Sequence, residues 1–254
     1  MKPLDVSALI ASAQQSTGLA DFGDPPLHPA LDKLVESLNS EARLNDMGYQ
    51  AMAFRINSLL VNRLKLTALL KRRPELATAP IGTPIFVIGL PRSGTTKTQR
   101  MIAADKRLNH MKSWETMYPV PLSDSPDDQQ QRLARCQGLL DAWSSNPDMA
   151  TVHEFDAMLA EEDVIVMAHS FLQEMLITDL RVPTYIEWLQ TQDRLPMWRQ
   201  LAVFLRALAD AHGKTGDPWV SKGTYHGTQL NIIHHAIPNA KLVYCHRDPV
   251  DNLG

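Results

Sequence analysis

One short segment constrains the fold of this chain more than any other. Ile85, Phe86, Val87 and Ile88 form a continuous apolar run closed by Gly89. A run of this kind, without polar alternation, reads as a strand buried on both faces, and such strands belong to parallel sheets. It is followed by Gly89-Leu90-Pro91-Arg92-Ser93-Gly94-Thr95-Thr96 and then by a helical pattern through Met101 and Ile102. Two glycines separated by four residues let the backbone turn tightly and aim successive N–H groups at an anion. The new helix adds its positive N-terminal end. Strand, glycine loop and helix occur in the order that phosphate binding requires.

The loop departs from an ATP-binding one at the position after its second glycine, where Thr95 stands in place of lysine. The usual contact to β and γ phosphates is therefore missing. Arg92, inside the loop, offers instead a permanent forked cation for phosphate or sulfate oxygens. The apolar strand expected at Lys241 to Cys245 runs into His246-Arg247-Asp248 and not into a clear magnesium-binding aspartate. That triplet invites comparison with the catalytic loop of protein kinases, but Asn252 falls one residue too early and the other kinase signatures are absent.

Around this centre the pattern is mostly helical. After Pro25, Pro26 and Pro29, Leu31, Leu34, Val35 and Leu38 recur at helical spacing. A second helix is expected from Leu44 to Arg73, with Met47, Met52, Ile56, Leu59, Leu60 and Leu64 facing inward and Pro74 ending it. Further strands are expected at Pro218 to Ser221 and Lys241 to Cys245, with a helix from His226 to Ile237 between them. Asp127 to His212 reads as helical, broken at Pro147, Pro183 and Pro196. The expected architecture is a three-layer α/β fold with a central parallel sheet and helices on both faces. A helical section over 1–80 precedes a nucleotide-binding domain over 81–254, which carries a helical insertion over 127–212.

The formal charge of −3 over 254 residues gives no overall attraction to nucleic acid, so an anionic ligand must be held locally. No run of 18 apolar residues is present to span a membrane, and no secretory leader is apparent. Cys136 and Cys245 lack the spacing of a disulfide framework or zinc site and suit two reduced thiols in a cytoplasmic protein. A metalloprotease helix would need a second histidine one turn after His153, where Ala157 stands.

The loop Pro91-Arg92-Ser93-Gly94-Thr95-Thr96 after a buried strand, with a distant strand ending in Arg247-Asp248-Pro249, resembles the sulfotransferases that use 3′-phosphoadenosine-5′-phosphosulfate (PAPS). The resemblance is closest to their bacterial branch. It extends over Asn45, Val61-Asn62-Arg63-Leu64, Trp114-Glu115, Pro119-Val120-Pro121, Val182-Pro183-Thr184-Tyr185 and Pro238-Asn239-Ala240-Lys241. It implies a P-loop fold, sulfuryl transfer from PAPS to a small-molecule hydroxyl or amine, and no metal. Arg92, Ser93, Gly94, Thr95 and Thr96 would hold the 5′-phosphosulfate, with Arg92 also stabilising the leaving phosphate, and Arg247 would hold the 3′-phosphate. Members usually read Lys-Ser-Pro-x-His where this chain has Lys222-Gly223-Thr224-Tyr225-His226. They also place a serine eight residues after the strand-end arginine. The chain stops seven residues after Arg247, which implies a C-terminally truncated fragment whose uncovered apolar faces favour a homo-oligomer.

In-line transfer needs a base near the acceptor. Glu115 matches the position of the catalytic glutamate in the tyrosylprotein branch. His153 resembles the histidine of the bacterial branch, with the acidic run Glu161-Glu162-Asp163 downstream reading as a solvated face. His234 and His235 read as structural. The alternatives are a P-loop small-molecule kinase using ATP and a non-catalytic nucleotide-binding protein.

Overall fold

The computed structural model describes residues 3–145, 154–174, 177–178 and 180–253. In chain order these form α1 (Val6–Thr17), α2 (Ala30–Ser40), α3 (Asp46–Arg72), β1 (Pro84–Gly89), α4 (Thr95–Ala103), α5 (Ser113–Met117) and α6 (Asp128–Ser144). There follow α7 (Val164–Met167), α8 (Pro183–Gln190), α9 (Leu195–Ala211), β2 (Trp219–Lys222), α10 (Leu230–Ala236), β3 (Lys241–Cys245) and α11 (Pro249–Leu253). Two compact units divide the chain: Met1–Ala77 with Met167–Leu201, and Thr78–Val166 with Ala202–Gly254.

In the first unit α1 packs on α3 and α2 on α8. The helical spacing of Leu31, Leu34 and Leu38 is realised in α2, where all three are fully buried. Asn45 caps α3 by accepting the Gly48 N–H at 2.8 Å, and Pro74 follows its end because proline cannot continue the ladder. Met52, Ile56, Leu60 and Leu64 face inward as expected, but Met47 is 77% exposed. The buried row set by Met52 and Ile56 extrapolates one turn back to Gly48 and leaves Met47 beside the stripe. Pro183 and Pro196 lie in the first turns of α8 and α9, where a missing N–H costs nothing.

Arg63 anchors this unit. Its guanidinium is buried and donates to the carbonyls of Phe22 at 3.1 Å, Gly23 at 2.8 Å, His169 at 3.3 Å and also Pro25. Burial pushes its pKa down to about 10, with Asp24 acting in the opposite direction. Arg63→Leu removes the donor shared by these carbonyls and is expected to destabilise the protein by about 3 kcal/mol in chemical denaturation. A loss below about 1 kcal/mol would mean that water or other groups replace it.

The second unit is built on the apolar run. Among the described residues it holds a parallel sheet of order β2-β1-β3. Phe86, Val87 and Ile88 are buried on β1, and Trp219 and Val220 on β2. The second strand begins at Trp219, one residue later than expected. The third lies where expected, but the face of it that carries Leu242 and Tyr244 is exposed among the described residues. The expected helix from His226 to Ile237 separates into a 3₁₀ turn at Thr224–Thr228 and α10. Its first residue, His226, is drawn into the interior. The described part of the middle segment contains α6, but residues 154–163 are not helical, and Lys112 and Ala160 form an isolated bridge. The whole is a mixed α/β fold with a central parallel sheet and many helices.

Candidate functional site

Gly89 ends β1 with its backbone against β3: a Cβ there would stand 2.6 Å from both the Cys245 carbonyl and Ser93 Oγ. Any larger residue would force the loop open. The chain then reverses through a turn in which the Ser93 N–H and hydroxyl both reach the Leu90 carbonyl, at 3.2 and 2.7 Å. Arg92 and Gly94 take positive φ, 65° and 94°, the second suiting a residue without Cβ. Gly94 is the N-cap of α4 and lacks a side-chain cap. The first N–H groups of α4 have no intrahelical partners and, with the helix dipole, form an anion-binding end.

Strand register brings two further cations to the loop. Gly89 pairs with Cys245, so Arg247 emerges just beyond it, and its Nη1 donates to the Arg92 carbonyl at 3.4 Å. Val87 pairs with Lys222, placing that lysine at the same end of the sheet. Lys222 is 3% exposed; its Nζ donates to Thr96 Oγ1 at 2.9 Å and to Glu162 Oε1 at 2.5 Å. The other Glu162 oxygen accepts the Thr224 hydroxyl at 3.1 Å.

The structure therefore brings Arg92, Ser93, Gly94, Thr95, Thr96 and Arg247 together around one turn and adds Lys222 and Glu162. The acidic run, expected as a solvated face, is turned inward: Asp163 has no exposed surface and Glu161 very little. Gln99 of α4 holds this segment by donating to the Glu161 carbonyl at 2.9 Å. The signal for Glu162 lay in its complement, Lys222 at a strand end, and that pairing joins residues far apart in sequence.

Glu115 stands in a different setting, 2% exposed near the start of α5. Its Oε2 accepts the Lys112 N–H at 2.8 Å and its Oε1 faces His212 Nε2 at 2.8 Å. His212 Nδ1 approaches Asn109 Oδ1 at 3.1 Å. Burial lowers the pKa of the neighbouring His110, with Glu115 opposing that shift. These contacts join α5 to the end of α9 and do not involve the loop. His153 lies outside the described residues. His234 and His235 are exposed on α10. Among the described residues, no group of three or more His, Cys, Asp or Glu side chains is placed to hold a metal ion, and no helix is long and apolar enough to cross a membrane.

A model of the sulfotransferase family matches residues 84–253, the stretch that contains every element of this site. The chain belongs to the sulfotransferase family. Two solved sulfotransferases share its fold. STF1 of Mycobacterium tuberculosis superposes with a TM-score of 0.81 at 28% identity over 99% of this chain and 69% of its own. STF9 of Mycobacterium avium superposes with a TM-score of 0.78 at 24% identity over 96% of this chain and 63% of its own. The sulfotransferase chain thus spans about two thirds of the length of these relatives. No curated protein matches it.

His212→Ala leaves the buried Glu115 carboxylate with one partner fewer in the sulfotransferase. The expected loss, discounted because His212 is partly exposed, is about 2 kcal/mol in thermal or chemical denaturation. An unchanged midpoint would show that the pair contributes nothing to folding.

Proposed function

We propose that this chain binds PAPS and transfers its sulfuryl group in line to the hydroxyl or amine of a small-molecule acceptor. The observation that carries the reading is the convergence of Arg92, Lys222 and Arg247 on a glycine loop whose position 95 is threonine. Residues 81–254 are assigned as the donor-binding part. PAPS fits the groups present: its 5′-phosphosulfate suits Arg92, Ser93, Gly94, Thr95 and Thr96, and its 3′-phosphate suits Arg247. The tight approach of Gly89 to Cys245 and Ser93 keeps the loop backbone close enough to cradle an anion.

When bound, PAPS supplies a sulfuryl group whose S–O bond to the 5′-phosphate breaks as a bond forms from sulfur to the acceptor oxygen or nitrogen. The protein's part is electrostatic and positional. Arg92 and the N–H groups at the start of α4 stabilise negative charge on the departing phosphate oxygen. Lys222, already in contact with Thr96, adds a cation at the same place. The acceptor proton needs a base; His153 lies outside the described residues, and among those described Glu115 and Glu162 are the candidates. We assign the role to Glu162, because it adjoins Lys222 and the loop, whereas the partners of Glu115, Lys112 and His212, lie away from the loop.

Arg92→Ala is expected to weaken PAPS affinity at least about tenfold, the weight of one charge-assisted hydrogen bond. Glu162→Gln should lower kcat by about 100-fold or more with donor affinity nearly kept. Transfer of labelled sulfate to phenolic and amine acceptors reads both. Full turnover in Glu162→Gln combined with a comparable loss in Glu115→Gln would return the base to Glu115. Unchanged binding and turnover in Arg92→Ala would remove the loop from the donor site.

A further inference from the structure

Of the three consecutive carboxylates at Glu161, Glu162 and Asp163, only Glu162 has a part in the reaction as proposed. Asp163 is fully buried and makes three contacts of different kinds. Its Oδ2 accepts the Ser221 hydroxyl at 2.6 Å, and its backbone N–H donates to the Lys222 carbonyl at 3.1 Å. Its Oδ1 lies 2.8 Å from His226 Nε2, off the line of a straight hydrogen bond. One residue thus grips the side chain before Lys222, the backbone of Lys222 itself and the imidazole four residues beyond it.

That imidazole is fixed from other sides as well. His226 is 1% exposed, and its backbone N–H reaches the Gly223 carbonyl at 3.3 Å. Its ring meets Phe86 of β1 edge-on, centroids 5.6 Å apart and planes at 85°. It also lies over Gly223 so closely that a Cβ there would overlap ring atoms. Gly223 has φ −158°, extended backbone open to any residue, so the ring and not the dihedral is what calls for glycine. Burying a carboxylate and an imidazole carries a desolvation cost that apolar packing would avoid. These two groups are spent at the end of β2, where Lys222 leaves the sheet.

We infer that Asp163 and His226 are a positioning pair, which holds the Ser221–Gly223 backbone so that Lys222 Nζ stands between Thr96 and Glu162. The inference rests on the donor reading above, in which Lys222 meets the phosphosulfate. Neither member touches the donor; the pair acts through Lys222. With the pair broken, the end of β2 relaxes and the ammonium is drawn to Glu162 at the expense of the loop.

The test is a double-mutant cycle read by calorimetry with two probes, PAPS and inorganic pyrophosphate. His226→Phe keeps an aromatic ring for the edge contact to Phe86, somewhat larger than imidazole, but offers Asp163 no nitrogen. Lys222→Gln removes the cation while leaving a donor for Glu162. His226→Phe is expected to weaken both probes about tenfold in the wild-type background and by less than about twofold when Lys222 is already Gln. His226→Gln, which retains an N–H, should recover part of the lost affinity. Gly223→Ala, whose Cβ would overlap the ring and displace it, should repeat the His226→Phe loss and its dependence on Lys222, and serves if His226→Phe does not fold. Equal losses in both Lys222 backgrounds, or no loss at all, would overturn the inference. Wild-type protein that binds pyrophosphate but not PAPS would remove the donor reading and leave the cycle legible on pyrophosphate. Binding of neither probe would overturn both.

Discussion

Parallel pairing of β2 and β3 on either side of β1 sets the positions of the glycine loop, Lys222 and Arg247 in the proposed donor site. Backbone hydrogen bonds fix the register, Val87 opposite Lys222 and Gly89 opposite Cys245. With all strands running the same way, their ends open on one edge, and a ligand at that edge meets groups from each of them. The glycine loop issues from the central strand, Lys222 from one neighbour and Arg247 from just beyond the other. A slip of one residue in either pairing would turn Lys222 to the opposite face or carry Arg247 away from the loop.

Charge at this edge is compensated unevenly. Arg92 and Arg247 are exposed and meet solvent, whereas Lys222 is buried and leans on Glu162 and Thr96. An unpaired buried ammonium would be costly, and pairing it with a carboxylate makes it tolerable rather than strongly stabilising. Retaining such an arrangement in the interior is understandable when the cation serves a ligand. Asp163 extends the polar network one residue further, with Ser221 and His226 as its partners.

Local pattern carried much of this architecture. The apolar run Ile85–Ile88, the glycines at 89 and 94, and the spacing of Leu31, Leu34 and Leu38 are short-range signals, and each appears in the fold as its chemistry demands. Helix α1 is less legible, since only Leu9 and Ala13 of it are buried and so narrow a stripe hardly registers as periodicity. Polar residues were the harder case. Glu161-Glu162-Asp163 has the composition of a solvated face, and its burial depends on Gln99, Lys222, Ser221 and His226, all more than 50 residues distant. Glu115 likewise has an active-site composition, yet its partners are the N-terminus of its own helix and His212. Which acidic residue meets which cation is a property of the tertiary arrangement, and no window of sequence contains both.

On the proposed reading the loop is built for a phosphosulfate donor and not for a nucleoside triphosphate with magnesium. Competitive calorimetry of PAPS against ATP, each with magnesium and again with a chelator, addresses it most directly. Arg92, Lys222 and Arg247 supply cations of their own and Thr95 replaces the lysine of an ATP loop, so PAPS should bind more tightly than ATP, with an affinity the chelator leaves unchanged. Tighter binding of ATP that depends on magnesium would show a nucleoside triphosphate site instead.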